Sequence, residues 1–349
     1  MGDPSDGAGP APLLEISRLH TYIGTPAGTV RAVDDVSLTL GRGEALGIVG
    51  ESGSGKSMLA RSILGLLPRT AARSGTIRFD GQDLLGLGDA ALRRIWGDRI
   101  GVVFQDPSRS LNPVVKVERQ ITEGMRRHLG VSRSEARTRA VRLLDEVGVP
   151  DPERRLHNYP GQMSGGMRQR VMIAIALSCE PDLLIADEPT TALDVTIQRQ
   201  ILDMLGRIRR DHGMAMILIS HDLGVIAGRT DRVGVMYAGR LVEVGATREV
   251  FARPRHRYTA ALLAATPSVT LPRHSRLTVI EGGLPDPHNP PKGCRFAVRC
   301  GYRQEACTDP GPRMVTVPGH DHEYRCLFPA GDDTFPGTGR VLEELPHGR

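Results

Sequence analysis

Gly50-Glu51-Ser52-Gly53-Ser54-Gly55-Lys56-Ser57 is the stretch on which the reading of this 349-residue chain turns. It satisfies the spacing G-x-x-x-x-G-K-[ST] between the apolar run Ala45-Leu46-Gly47-Ile48-Val49 and a helical segment that opens at Lys56. Glycines let the backbone bend until successive N–H groups face one point, and the helix that follows adds the positive end of its dipole. Lys56 is placed to reach the β- and γ-phosphates of a nucleotide, and the Ser57 hydroxyl to ligate Mg2+. At the residue frequencies of this chain the pattern arises by accident on the order of 0.005 times. The eight residues predict a nucleoside-triphosphate site.

Working outward, residues 13–49 read as short strands separated by turns, the last strand buried on both faces. Residues 117–148 carry a helical pattern, with Ser132 and Glu135 as a capping box and Gly148 as a stop. A helix from about Gly166 leads into the apolar strand Asp182-Leu183-Leu184-Ile185-Ala186-Asp187. A further helix from Val195 leads into the strand from Met214 to Ser220. Strands alternating with helices predict an α/β fold with a mainly parallel, doubly wound sheet. Beyond Pro272 the periodicity gives way to Pro, Gly, His and Cys, as expected of a separate small domain or an appendage.

Composition bounds the function. With 45 Lys plus Arg against 40 Asp plus Glu, and 40% hydrophobic residues, the chain has the profile of a globular protein with more than one domain. Its longest apolar stretches, such as Val171 to Leu177, fall short of the roughly 20 residues that cross a bilayer. The segment from Met1 to Pro12 lacks the basic and apolar regions of a secretory signal, so a cytoplasmic location is expected. Lys56, Lys116 and Lys292 are the only lysines, and the arginines are spread evenly among nearly as many acids. No nucleic-acid partner is expected from such a balance.

A second element completes the chemistry. The strand Leu183-Leu184-Ile185-Ala186 ends in Asp187 and Glu188, which would deliver one carboxylate to the Mg2+ shell and a second to polarise an attacking water. With both elements in order, the chain resembles the ATPases of ABC transporters. Ser164-Gly165-Gly166-Met167-Arg168-Gln169-Arg170 is similar to their signature motif. Gln105 in Val103-Phe104-Gln105-Asp106-Pro107 resembles the Q-loop glutamine, Asp194 in Thr191-Ala192-Leu193-Asp194 the D-loop aspartate, and His221 in Ser220-His221-Asp222 the switch histidine.

The resemblance implies a P-loop ABC ATPase domain with a RecA-like core, an antiparallel β subdomain and a helical subdomain. It also implies that two such domains pair head to tail, so that the phosphate loop of one and the signature motif of the other close over one ATP. Glu188 would be the general base and His221 a γ-phosphate contact. Gln105 would join Asp187 and Ser57 around Mg2+ and link them to the membrane partner, and Asp194 would make a contact across the dimer. The adenine-stacking aromatic of the family falls on Ile23, with Tyr22 immediately before it as the alternative. A shift of one residue on a strand reverses side-chain direction.

Longer stretches are similar to the ATPase subunits of oligopeptide, dipeptide and nickel importers. They include Ala32 to Ser57, Val103 to Pro113, Tyr159 to Leu177 and Asp187 to Leu202. Another is Pro254-Arg255-His256-Arg257-Tyr258-Thr259, with Arg257 where that group usually has proline. The resemblance implies a cytoplasmic-face peripheral subunit that hydrolyses ATP to drive uptake of di- or oligopeptides. Its partners would be a second ABC ATPase subunit, two membrane permease subunits and an extracytoplasmic substrate-binding protein. Import of nickel or another small solute is the alternative, and a soluble ABC ATPase acting on nucleic acid a more distant one.

The expected organisation is an N-terminus at 1–12, the ATPase domain at 13–265 with its helical part near 106–170, a Cys-rich domain at 266–328, and a polar tail at 329–349. Cys294, Cys300, Cys307 and Cys326 are separated by five, six and eighteen residues, unlike the paired C-x-x-C of a zinc ribbon. Four thiolates could hold a [4Fe-4S] cluster, as some of the resembling subunits do, or zinc, or they could bind no metal.

Overall fold

The computed structural model describes residues 11–191, 193–266 and 279–331. The expectations for residues 1–10 and 332–349, and for residues 267–278 of the Cys-rich domain, lie outside the described residues. The described residues gather into two compact units, one within Met1–Ile16, Leu38–Ala45 and Thr76–Ile219, the other within Ser17–Ser37, Leu46–Gly75 and Ser220–Arg349.

In the first unit, strand Leu183–Asp187 pairs in parallel with Ile100–Val103 on one side and with Ala215–Ser220 on the other. Every residue of Leu183–Asp187 and of Ala215–Ser220 is buried, which is why their sequences run apolar instead of alternating. Each fully buried Leu or Ile contributes about 1.5–3 kcal/mol. Asp187 is therefore an acid at the end of an otherwise apolar strand.

The helical region of this unit forms as two helices, Val117–His128 and Arg133–Glu146. Val117, Ile121 and Met125 are buried on the first, and Ala136, Ala140 and Leu144 on the second. Both sets repeat every four residues and form one stripe on a helix, and the alanines let the two helices approach closely. Ser132 caps the second helix by accepting from the N–H of Glu135 at 3.2 Å. The return half of the expected capping box is not the contact made, since the Glu135 carboxylate accepts from Arg139 at 2.6 Å.

In the second unit, Leu46 to Val49 pair in parallel with Arg232 to Val235, so the phosphate loop leaves the carboxyl end of a buried strand. Strand Arg240–Ala246 folds back antiparallel on Arg232–Tyr237, with a register shift between Leu241 and Glu243. The Cys-rich segment, expected as a domain of its own, belongs to this same unit. Its strand His322–Tyr324 pairs antiparallel with Arg240–Ala246, and Val315–Thr316 pairs with His322–Tyr324. Too poor in apolar positions for a core of its own, the segment borrows a sheet edge. It is pinned there by Glu243, which is fully buried and accepts from His322 Nε2 at 2.7 Å and from the N–H groups of Arg255 and His256 at 2.6 and 2.9 Å.

Candidate nucleotide site

The phosphate loop is shaped by its own unit. Gly50 has φ +150° and Gly55 φ +104°. A Cβ at Gly50 would stand 2.2 Å from the Met236 carbonyl oxygen, and one at Gly55 2.5 Å from that of Ala32. The loop is pressed so closely onto neighbouring backbone that only glycine fits at both ends. Lys56, nearly fully buried, donates from Nζ to the carbonyls of Gly50 at 2.8 Å and Glu51 at 2.9 Å, which curls the loop around its ammonium group. Helix Lys56–Leu64 follows with no acid in its first turn, so nothing on that turn opposes the positive helix end.

Ser54 gives the clearest sign of a ligand. Its hydroxyl is fully buried in the loop and has no hydrogen-bond partner among the described residues. An unpaired buried hydroxyl costs about 1–3 kcal/mol. A phosphate oxygen seated in the cradle would supply the missing partner, and the residues present fit that group. His221, from the same unit, is exposed just after strand Ala215–Ser220.

The first unit carries the carboxylates. Asp187 is buried at the strand end, and Glu188 beside it adopts φ +48°, a left-handed conformation that costs a non-glycine residue of order 1–3 kcal/mol. The Glu188 N–H donates to the Ile219 carbonyl at 3.0 Å. Its Oε2 accepts from Gln105 Nε2 and from the Thr191 hydroxyl, each at 2.9 Å. Gln105 and Glu188, expected as separate motifs, are thus joined directly. Thr191 was not among the expected residues, although its place three residues after Glu188 in Asp187-Glu188-Pro189-Thr190-Thr191 put it within reach.

Ser164 is the N-cap of helix Gly165–Leu177, its hydroxyl accepting from the Met167 N–H at 3.3 Å, and the residue is exposed. Asp194 is likewise exposed, and its Oδ1 accepts from the Ile197 N–H at 2.9 Å as the cap of helix Val195–His212. Both expected dimer-facing motifs therefore sit at capped helix starts, and an intramolecular job already accounts for one oxygen of Asp194.

Tyr22 donates its hydroxyl to Asp34 Oδ1 at 2.6 Å, and the Arg31 guanidinium lies 5.8 Å from its ring centroid. Burial and the Asp34 bond push its pKa up to about 12. Burial would raise Asp34 in turn. The Tyr22 hydrogen bond and the guanidinium groups of Arg295 and Arg240 reverse that and hold its carboxyl down at about 2.

The four late cysteines line one narrow cavity with His256, Arg257, Phe296 and Tyr302. Burial pushes Cys294 up to about 12 and Cys326 up to about 11. Among the described residues no group of three or more His, Cys, Asp or Glu is set to hold a metal ion.

Comparison with known proteins fixes the family. The model of the ABC transporter family matches residues 33–191, and that of the oligopeptide/dipeptide transporter C-terminal region matches residues 242–307. A peptide import ATP-binding protein of Brucella abortus is 50% identical over 310 residues, covering 88% of this chain and 93% of that protein. This chain belongs to the ABC transporter ATPases. The dipeptide transport ATP-binding protein DppD of Bacillus subtilis is 48% identical over 316 residues, 90% of this chain and 94% of that protein. Among solved ABC structures, a dimeric ATP-binding cassette, MJ0796, bound to ADP and phosphate covers 67% of this chain at 28% identity and a TM-score of 0.61. The structure of cbiO1 of Clostridium perfringens, part of the ABC transporter complex cbiONQ, covers 69% of this chain at 30% identity and a TM-score of 0.59. The cassette fold is thereby established. Among the described residues no helix is long and apolar enough to cross a membrane.

Proposed function

We propose that this chain is the ATP-hydrolysing subunit of an ABC importer that takes di- or oligopeptides across the cytoplasmic membrane. The carrying observation is the pairing in one chain of an ABC ATPase region with the C-terminal region of oligopeptide/dipeptide transporters, shared over nearly full length with relatives named for peptide import. The subunit is peripheral, held at the cytoplasmic face by two permease subunits, and supplied with cargo by an extracytoplasmic binding protein. A second ATPase subunit, identical or related, completes the pair.

The residue roles follow the family and the local geometry. The loop amides of Gly50 to Ser57, the Ser54 hydroxyl and Lys56 receive the β- and γ-phosphates. Ser57, Asp187 and Gln105 hold Mg2+, which when bound neutralises charge on the phosphate oxygens. Glu188 takes a proton from the attacking water, with its carboxylate aimed by Gln105 and Thr191. His221 contacts the γ-phosphate. Ser164, Gly165 and Gly166 present a helix start to the nucleotide of the partner subunit, where N–H groups complement phosphate charge. Asp194 offers its remaining oxygen across the pair, and Tyr22, anchored at its hydroxyl, offers its ring to the adenine.

The Cys-rich segment is read as a structural or redox-sensing part built around a [4Fe-4S] cluster. What supports this is that all four thiols line one cavity, the number of thiolates a cubane takes. Iron, sulfide and zinc analysis of anaerobically purified protein tests it, and a colourless preparation free of iron would rule it out.

For transport, the complex reconstituted in vesicles with its permeases and binding protein is expected to accumulate labelled di- or oligopeptides only with Mg-ATP. Accumulation of nickel or another small solute in place of peptide would overturn the cargo assignment while leaving the ATPase role intact.

A further inference from the structure

The phosphate loop is gripped from the Cys-rich segment through Glu51, a position where the motif itself accepts any residue. Arg299 donates from Nη1 to Glu51 Oε2 at 2.8 Å and from Nη2 to Oε1 at 3.1 Å, a forked pair across 248 residues of sequence. The fork is held firmly. Arg299 also donates to the carbonyls of Ile280 at 2.9 Å and Glu281 at 2.8 Å and to the Tyr237 hydroxyl at 3.3 Å, and its side chain is only 5% exposed. The backbone of Glu51 is held as well, since its N–H donates at 2.9 Å to the hydroxyl of Tyr258, which is fully buried. Tyr258, Tyr237 and Phe296 pack ring against ring at centroid distances of 4.6 to 5.4 Å, so this anchor stands in a rigid aromatic cluster.

Two physical consequences follow for a polyanionic ligand. A carboxylate on a phosphate loop repels nucleotide unless a cation offsets it, and Arg299 supplies that cation. A loop fixed at one end on both backbone and side chain also loses less freedom when the phosphates arrive.

We propose that Arg299 is a positioning residue for nucleotide binding, neutralising Glu51 and holding the phosphate loop in its receptive shape from within the Cys-rich segment. The proposal rests on the nucleotide reading of the loop, and it makes the segment a working part of the ATP site. The Cys-rich segment then serves affinity for ATP whether or not its thiols hold a cluster.

Equilibrium titration of the purified full chain with Mg-ATP tests it, in a Glu188→Gln background that suppresses turnover. Arg299→Met is expected to raise the Kd about tenfold, because a charge-assisted fork is lost and an anion is uncovered. Adding Glu51→Gln removes that anion and is expected to bring the Kd back to within about threefold of the parent. A merely structural arginine would show no such rescue. Should Arg299→Met fail to fold, Arg299→Lys carries the test, with an expected loss of about threefold that Glu51→Gln again relieves. An unchanged Kd in the folded variant, or a loss that Glu51→Gln does not relieve, would overturn the positioning role alone. A parent chain that binds no Mg-ATP would overturn the nucleotide reading beneath it.

Discussion

Gln105 donates to Glu188 Oε2 at 2.9 Å, and this one bond joins the segment that enters the helical region to the carboxylate at the end of strand Leu183–Asp187. Glu188 occupies a left-handed backbone conformation there. The Thr191 hydroxyl donates to the same carboxylate oxygen. A carboxylate held in an unfavourable backbone state by fixed partners is oriented before any substrate arrives, and strain of this kind collects at working sites. Movement of Gln105 would change the orientation of Glu188 directly.

Gln105→Ala is accordingly expected to lower the turnover of the assembled transporter by about 10- to 100-fold, the range seen when an orienting partner of a reactive group is removed. Equilibrium Mg-ATP titration and steady-state phosphate release on the same complex separate the two effects. A large loss of affinity with normal turnover would assign Gln105 to binding only.

Lys56→Met should weaken Mg-ATP binding by about 100-fold, since it removes a charge-assisted contact and also the ammonium group that the Gly50 and Glu51 carbonyls curl around. Titration with a fluorescent ATP analogue measures it. Affinity within a few-fold of wild type would place the phosphates elsewhere.

Tyr22→Ala is expected to raise the Kd for ATP about tenfold through the loss of a base-stacking surface, and Tyr22→Phe to change it little. If Tyr22→Ala binds ATP as wild type does, Tyr22 leaves the site.

Asp34 ties stability to pH. Its folded pKa of about 2 lies below its ordinary 3.8, so its ionised form stabilises the fold above pH 3.8, and that contribution disappears as pH falls toward 2. The linkage amounts to about 2 kcal/mol. Asp34→Asn should therefore be less stable than wild type at neutral pH and converge with it near pH 2, as read from urea unfolding across that range. A constant gap between the two curves would show that the charge of Asp34 contributes nothing.

Much of the fold is written locally. The run from Ala45 to Val49 announces a strand buried on both faces, Ser132 caps a helix three residues before Glu135, and Gly148 stops it with φ +73°. The phosphate loop is one continuous stretch of sequence, and so is the Asp187-Glu188 pair, and each is legible by itself. What the sequence leaves hidden depends on distant partners or on competition. The link from Glu51 to Arg299 joins residues 248 positions apart, with no periodicity to announce it. Glu135 prefers Arg139 to the second half of a capping box because an ion pair at i+4 lies closer to hand. The Cys-rich segment reads as separate because its composition changes, yet its two short strands need the edge offered by Arg240–Ala246. Asp194 shows a residue type with two uses at once, since an aspartate ahead of a helix caps it whatever else it does.

The central claim is that this chain hydrolyses ATP with Glu188 as its general base, and phosphate release by the reconstituted transporter tests it most directly. With wild-type subunit, Mg-ATP should be turned over and the rate raised by peptide-loaded binding protein. With Glu188→Gln, ATP should bind within about threefold of wild type while turnover falls by about 100- to 10,000-fold. Phosphate release by the Glu188→Gln complex at the wild-type rate would contradict the account.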